Sequence, residues 1–414
     1  MDSIKAEIIS IGNEILAGYT VNTNATFISQ QLMSIGLPVG WISTISDNHD
    51  DILNALGAAM QRAQVVLVTG GLGPTPDDIT KKVICEFFKT EMVFNSEVFE
   101  DVQTFLRARG ADLNQANRDQ ALVPAAAKII RNKIGTAPGL MFQKKGIYFF
   151  FMPGVPAEMK YITHKFIVGF LAKELNLPKV HNRLLRTTGI AEAKLYERLK
   201  DILDSFPQCQ PAFLPRHIGV DLRFRLISDD EQDLRRFEQF ISAIKERTAK
   251  YIFADRPIEL EERLGEILVE KKLTLAVAES FTGGLLSNLL TDISGSSRYF
   301  LGAAVTYSNE SKMQLLGVQD DTLAKYGAVS EATVLEMLKG VQKSFGSHCA
   351  IATTGIAGPT GATPGKPVGL CYIAARYGNK TAVREFRFGT DRIINKRRGA
   401  VAGMEMLRRL LLNL

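Results

Sequence analysis

The chain has 414 residues, 46% of them hydrophobic and 23% charged, with a formal net charge of +6. That length is too great for one typical core and implies two or three domains. No apolar run of about 18 residues occurs, which excludes a membrane-spanning helix. The start, MDSIKAEIISIG, has no basic region followed by an apolar stretch and a small-residue cleavage site, so no secretion signal is expected. Cys85, Cys209, Cys349 and Cys371 are scattered without CxxC spacing. They read as reduced thiols of a cytoplasmic protein and exclude a disulfide frame or a cysteine-built zinc site. The positive balance suits small phosphorylated substrates as well as nucleic acid and selects neither.

Residues 1–174 alternate apolar strands with amphipathic helices. AEIISIG, PVGWISTIS and VVLVTGG are the strands, and helices follow from Asn24 and over DDILNALGAAMQRA. Continuous apolar strands separated by helices predict a doubly wound parallel sheet. GIYFFFMPG and a helix from Pro156 to Leu175 close the segment. Residues 177–254 read as strand, helix, two strands, helix, strand, a small α+β unit with helices on one face. Residues 255–414 open with a helix and return to alternation. LTLAVAES, YFLGAAVTYS, CAIATTG, VGLCYIAARY and AVREFRFG are its strands, and a last helix spans 393–412.

In the first segment a buried strand runs into Thr69, Gly70, Gly71 and Gly73, and a helix is predicted to open near Asp77 and Asp78. Such a turn lets backbone N–H groups approach a phosphate. Two adjacent carboxylates there suit Mg²⁺, which shares oxygen ligands with phosphates. The plainer reading is a glycine turn with Asp77 as a helix cap. ISIGNEILAGYTVNTN, TGGLGPTPDDIT, NKIGTAPG and MPGVPAEM together resemble the amino-terminal domain of the CinA-like proteins, similar in fold to molybdopterin-binding domains. The resemblance implies a metal-dependent ADP-ribose pyrophosphatase. Asp78 and Glu14 would then serve the metal or phosphate, and Thr69, Gly70, Gly71 and Gly73 the nucleotide. Asn24, Asn132, Thr136 and Gly154 would line the same cleft. The implied ions are a divalent metal such as Mg²⁺, with K⁺ as a further candidate. Molybdopterin handling is the alternative for this domain.

The middle segment resembles the KH-like module of the same family. RNA-reading KH domains grip the backbone through a GXXG loop. Gly189 and Gly219 are the only glycines between 177 and 254, so no such loop is present and no nucleic acid is expected. The module reads as a spacer or dimer element.

The carboxyl-terminal segment carries three motifs. AVAESFTGG places Ser280 at a strand end before Gly283 and Gly284, where a hydroxyl nucleophile and oxyanion-binding N–H groups could meet. A capping serine is the plainer reading of that motif alone. GAAVTYSNESK sets Tyr307 and Lys312 beyond another strand, with no histidine nearby, leaving a lysine or tyrosine base activated by burial. IATTGIAGPTGATPGKPVG, with Gly355 and Gly358, suits a loop around a phosphate or ribose. GTDRIINKRR opens the last helix with Arg392, Arg397 and Arg398, any of which could pair with a phosphate.

This order of motifs resembles the carboxyl-terminal domain of the CinA-like proteins, which include nicotinamide mononucleotide deamidases. The resemblance implies Ser280 as nucleophile, Tyr307 and Lys312 as its activators, Thr354 and Arg392 completing the site, and no cofactor. Gly283, Gly284, Gly355 and Gly358 would bind substrate. The expected protein is a cytoplasmic α/β enzyme in three parts, 1–174, 177–254 and 255–414. It would act on nicotinamide mononucleotide and ADP-ribose, with no membrane association, as a homodimer. The non-enzymatic alternative is a competence- or DNA-damage-associated binding protein.

Overall fold

In the computed structural model the described residues are 4–73, 78–216 and 219–414. They fall into two compact units, one of residues 1–180 with 227–229 and one of 181–226 with 230–414. Among the described residues no helix is long and apolar enough to cross a membrane.

The first unit holds a six-stranded sheet. Its strands are β1 (Ala6–Ile11), β2 (Val39–Ile45), β3 (Val65–Thr69), β4 (Lys128–Ile130), β5 (Gly139–Lys144) and β6 (Ile147–Met152), in the order β2-β1-β3-β6-β5-β4. The four strands from β2 to β6 in that order are parallel, whereas β5 and β4 join antiparallel. All residues of β1 and β3 are buried, as strands covered on both faces must be. Side chains alternate between two cores, Ile9, Ile11, Val66 and Val68 in one and Ala6, Ile8, Val65 and Leu67 in the other. Helix α1 (Thr23–Ser34) is capped by Asn22, whose side chain accepts from the Ala25 amide at 3.0 Å, so Asn24 is not the cap.

The second unit begins with the α+β module. Its strands are β7 (Val180–Thr187), β8 (Gln210–Arg216), β9 (Gly219–Ile227) and β10 (Ile252–Ala254), in the order β8-β9-β7-β10. Helices α2 (Glu192–Asp204) and α3 (Glu231–Thr248) pack Leu195, Leu199, Phe237 and Ile241 on one face of it. A five-stranded sheet follows: β11 (Leu275–Glu279), β12 (Phe300–Val305), β13 (Cys349–Gly355), β14 (Leu370–Tyr377) and β15 (Lys380–Arg387), in the order β12-β11-β13-β14-β15. β12, β11 and β13 run parallel and the remaining pairs antiparallel. Leu275 and Val277 face the helices at 260–270 and 392–412. Ala276 and Ala278 face the helix Glu331–Phe345, whose Val334, Met337 and Val341 fill the space above those small residues.

The boundary expected at 254–255 cuts through this unit. Phe253 and Ala254 belong to the core cluster of the carboxyl-terminal sheet. Arg408, 2% exposed, donates to the carbonyls of Ile252 (3.3 Å) and Lys250 (3.1 Å), and Arg186 donates to Ile258 O at 2.5 Å. A fragment starting at 255 loses the Phe253 ring and both carbonyl partners of a buried arginine, roughly 3 kcal/mol in all. We predict that fragment 255–414 melts about 6–12 °C below fragment 181–414, since 1 kcal/mol shifts domains of this size by about 2–4 °C. Equal midpoints in calorimetry would show the shorter fragment to be self-sufficient.

Candidate active site

The apolar strand β11 ends in a carboxylate. Glu279 is fully buried, and its side chain accepts from the amides of Gly284 (3.0 Å), Leu286 (3.0 Å) and Ser287 (2.8 Å) and from the Ser287 hydroxyl (2.6 Å). These donors belong to the start of helix α4 (Leu285–Thr291), where N–H groups lack intrahelical partners and negative charge is favoured. The turn 280–284 is thereby drawn back over the strand end. The Ser280 amide donates to Thr353 O at 3.0 Å, and the buried hydroxyls of Thr282 and Thr353 lie 2.8 Å apart. Phe281 packs on Gly399, where an added Cβ would stand 2.2 Å from its ring.

Lys312 lies on helix α5 (Asn309–Leu316), capped by the Ser308 hydroxyl. It is 1% exposed, and its Nζ stands 3.3 Å from Ser280 Oγ. The same nitrogen donates to the carbonyls of Thr306 (2.9 Å), Tyr307 (3.4 Å) and Ser308 (3.4 Å). Burial holds the Lys312 ammonium below the usual lysine range, against an opposing pull from Glu310. A neutral amine has two N–H donors for those carbonyls and one lone pair left for the serine proton.

Tyr307 is brought to the site, but its phenol does not bridge Ser280 and Lys312. The ring is 61% exposed and its hydroxyl accepts from Arg392 Nη2 at 2.8 Å. Only the backbone carbonyl of Tyr307 reaches Lys312. Arg392 also donates to Gly358 O at 2.9 Å, and Asn395, one turn on, donates to Ala357 O (2.9 Å) and Gly389 O (2.8 Å). Both residues open the last helix, α6 (Arg392–Leu412), and hold the glycine loop against it. Among the three candidate arginines, Arg392 is the one at the site. Arg397 acts electrostatically on Glu261, and Arg398 lines a cavity elsewhere.

One other expectation needs correction. The Gly283 amide donates to Ser280 O at 3.0 Å and the Gly284 amide to Glu279, so neither is free for an oxyanion. The amides of the turn with no acceptor among the described residues are those of Phe281 and Thr282. The Thr354 hydroxyl donates to Ala328 O at 2.7 Å, on the sheet face that also carries the helix of Lys312. Gly355 gives clearance for the neighbouring strand, an added Cβ falling 2.3 Å from Cys371 Cβ. Sequence reading also missed Glu279, Asn395 and Lys396. The Lys396 ammonium would lie 3.4 Å from a Cβ on Gly283, which places a second cation at the mouth of the turn.

In the first unit, Asn24 donates to Gly154 O (2.8 Å) and Thr69 Oγ1 (3.2 Å), while Thr69 donates to Pro153 O (2.9 Å). These groups converge at the carboxyl ends of β3 and β6. Gly70 abuts Gly154, and Gly71, at φ +67°, leaves no room for a side chain because Thr80 Oγ1 would lie 2.0 Å from its Cβ. Thr80 Oγ1 and Asn24 Oδ1 are buried without a hydrogen-bond partner among the described residues. Asp78 Oδ2 would lie 2.5 Å from a Cβ on Gly73, and Glu14 is folded over Gly12 at the end of the adjacent β1. The helix after the turn begins at Thr80 rather than at 77–78, and Asp77 lies outside the described residues. Asn132 donates to Ala137 O (2.8 Å) and Glu158 Oε2 (2.5 Å), with Thr136 in the same turn. Burial holds the Glu158 carboxyl above its usual range. Among the described residues no three His, Cys, Asp or Glu side chains gather as metal ligands.

Family profiles match along the chain: a probable molybdopterin binding domain over 7–173, a damage-inducible protein CinA KH domain over 182–254 and a CinA C-terminal domain over 258–411. A CinA-like protein of Chloroherpeton thalassium is 42% identical, the match covering 98% of this chain and 99% of that protein. The chain belongs to the CinA-like family. A putative competence-damage inducible protein of Caldicellulosiruptor saccharolyticus is 38% identical over 99% of both chains. A solved CinA superfamily protein of Klebsiella pneumoniae is 32% identical, covering 37% of this chain and 97% of that one, with a TM-score of 0.37.

In this CinA-like chain the buried lysine has a measurable signature. Between its lowered pKa and the ordinary 10.5, the unfolded chain binds a proton that the folded chain does not. Stability conferred by residue 312 therefore rises with pH across that window and is level below it. We predict that the native chain gains stability relative to Lys312→Met as pH is raised toward 10.5, read by urea denaturation at each pH. A gap that stays constant would mean an unshifted lysine.

Proposed function

We propose that the carboxyl-terminal domain hydrolyses the carboxamide of nicotinamide mononucleotide to nicotinate mononucleotide and ammonia. The observation that carries this reading is the 3.3 Å contact between Ser280 Oγ and a lysine amine taken out of water. Ser280 attacks the amide carbon while Lys312 takes its proton, and the tetrahedral oxyanion draws on the free amides of Phe281 and Thr282. Lys312 then protonates the departing ammonia, leaving an acyl ester on Ser280. Water, deprotonated by the same amine, cleaves that ester and restores the serine. Arg392 and Lys396 supply positive charge for the ligand's phosphate, and Tyr307 holds the Arg392 guanidinium. The pyridine nucleotide is taken from the family resemblance; the site's own chemistry argues for an amide beside an anion.

Loss of a helix-cap serine costs about 1 kcal/mol of stability and leaves a rate untouched. Loss of a nucleophile removes turnover, on the order of a thousandfold or more. Ser280→Ala is therefore expected to fold normally, bind nicotinamide mononucleotide and release ammonia at least roughly a thousandfold more slowly. Near-normal ammonia release from that variant would move the chemistry to an activated water.

A second reading, for the amino-terminal domain, is metal-dependent cleavage of the ADP-ribose diphosphate. It is favoured by Asp78 standing against the Gly73 turn and by the unpartnered Thr80 and Asn24 oxygens in that cleft. With no three-carboxylate cluster among the described residues, a divalent ion held by Asp78 and Glu14 would take its other oxygens from the diphosphate and water, as Mg²⁺ commonly does. Bound there, the ion would neutralise the diphosphate charge. Asp78→Ala should abolish metal-dependent ADP-ribose cleavage and leave ammonia release intact. Full cleavage by the variant would reduce Asp78 to a loop residue.

A further inference from the structure

The last helix leaves the active site at Arg392 and reaches, near its other end, a seam between the α+β module and the carboxyl-terminal sheet. A cavity of about 200 Å³ opens at that seam. Arg384, Phe386, Phe388, Arg398 and Arg409 line it, together with Gly189 from the loop after β7. None of the residues assigned to catalysis does.

Its charge is one-sided. Glu405 is the only acid on the wall, and both of its oxygens are engaged. Arg408 donates to it from Nε (2.7 Å) and Nη2 (3.0 Å), and Arg409 from Nε (2.6 Å). Arg384 and Arg398 are exposed and pair with no acid among the described residues. Arg409 Nη2 is buried with no acceptor among the described residues, against Gly189, where an added Cβ would lie 2.8 Å from it. The remaining wall is aromatic. The rings of Phe386 and Phe388 stack with centroids 5.5 Å apart, and the Arg384 guanidinium lies 6.0 Å from the Phe386 centroid.

Uncompensated guanidinium groups call for a phosphate, which they hold by paired hydrogen bonds. Stacked phenylalanines beside them call for a flat ring. A recess with one group of guanidinium donors beside one aromatic surface suits a single phosphate and a single ring. We propose that this seam is a second, non-catalytic site that takes a nucleoside monophosphate, with its phosphate on Arg384 and Arg398 and its base on Phe386 and Phe388. The proposal does not depend on the deamidase reading.

Photolabelling of the full-length chain with 8-azidoadenosine 5′-monophosphate, followed by peptide mapping, tests it. Label is expected within 384–388 or 398–409 and should be competed away by excess AMP. The double variant Arg384→Glu, Arg398→Glu should lose that label by roughly tenfold or more, the scale of a lost charged hydrogen bond. Both positions are exposed, so the variant is expected to fold, which its circular dichroism melt would verify. Arg392→Gln should keep the label. Label confined to other segments, or unchanged in a folded double variant, overturns the site. Protection by inorganic phosphate equal to that by AMP overturns the aromatic half, and stronger protection by oligoadenylate overturns the mononucleotide in favour of a nucleic acid.

Discussion

A carboxylate with no water around it must be met by donors, and the carboxyl-terminal site is built on how Glu279 is met. Its four hydrogen bonds come from the next few residues of its own chain. The strand therefore has to reverse within the turn 280–284 and deliver a helix start back onto its own last residue. Ser280 is the first residue after the carboxylate, so its position at the sheet edge is fixed by that reversal. The same geometry explains why Gly283 and Gly284 offer nothing to a ligand. Their N–H groups are consumed in closing the turn, and the donors left over are one and two residues closer to the serine.

Three cations gather around this edge, and their environments divide them by task. Lys312 is sealed beneath the turn, with backbone carbonyls for partners and burial opposing its charge. Arg392 and Lys396 stand one turn apart at the start of the last helix, nearer solvent. A guanidinium exchanging one hydrogen bond with a phenol and one with a loop carbonyl is held in place with donors to spare. An amine whose charge is opposed by burial suits proton transfer, and cations nearer solvent suit an anion that must not react.

The strands were readable because both sheets bury two faces and so write continuous apolar runs, as in LAVAE and AIATTG. Ser280, Lys312 and Arg392 were readable from motif order. The direction of a side chain was not. Thr354 and Thr353 are adjacent and chemically alike, yet one hydroxyl faces Ala328 O and the other Thr282. Nothing in the string TTG says which. Glu279 was passed over because a glutamate at a strand end ordinarily reads as a solvated residue, and its partners are backbone amides, invisible to any residue pattern. The helices between 309 and 345 were also missed. Asn309–Leu316 and Asp320–Tyr326 are short, and their apolar residues are too few to show a period, whereas Glu331–Phe345 does carry the helical period in Val334, Met337, Leu338 and Val341.

The middle module is where local reading had least purchase, since its tie to the rest of the unit lies in single long-range contacts. A spacer would meet its neighbour through a modest polar surface. Here Arg186, 3% exposed, spends one donor on Ile258 O and others on Asp221 and Glu259. Arg408 reaches the other way, from the last helix to the carbonyls flanking Tyr251. Each module thus buries an arginine whose partners lie partly across the seam. Stripping partners from a buried charge is far more costly than losing an exposed pair. Phe253 and Ile258 make the apolar core continuous through the same stretch. The two modules are coupled by both kinds of contact, and α6 extends from that seam to Arg392.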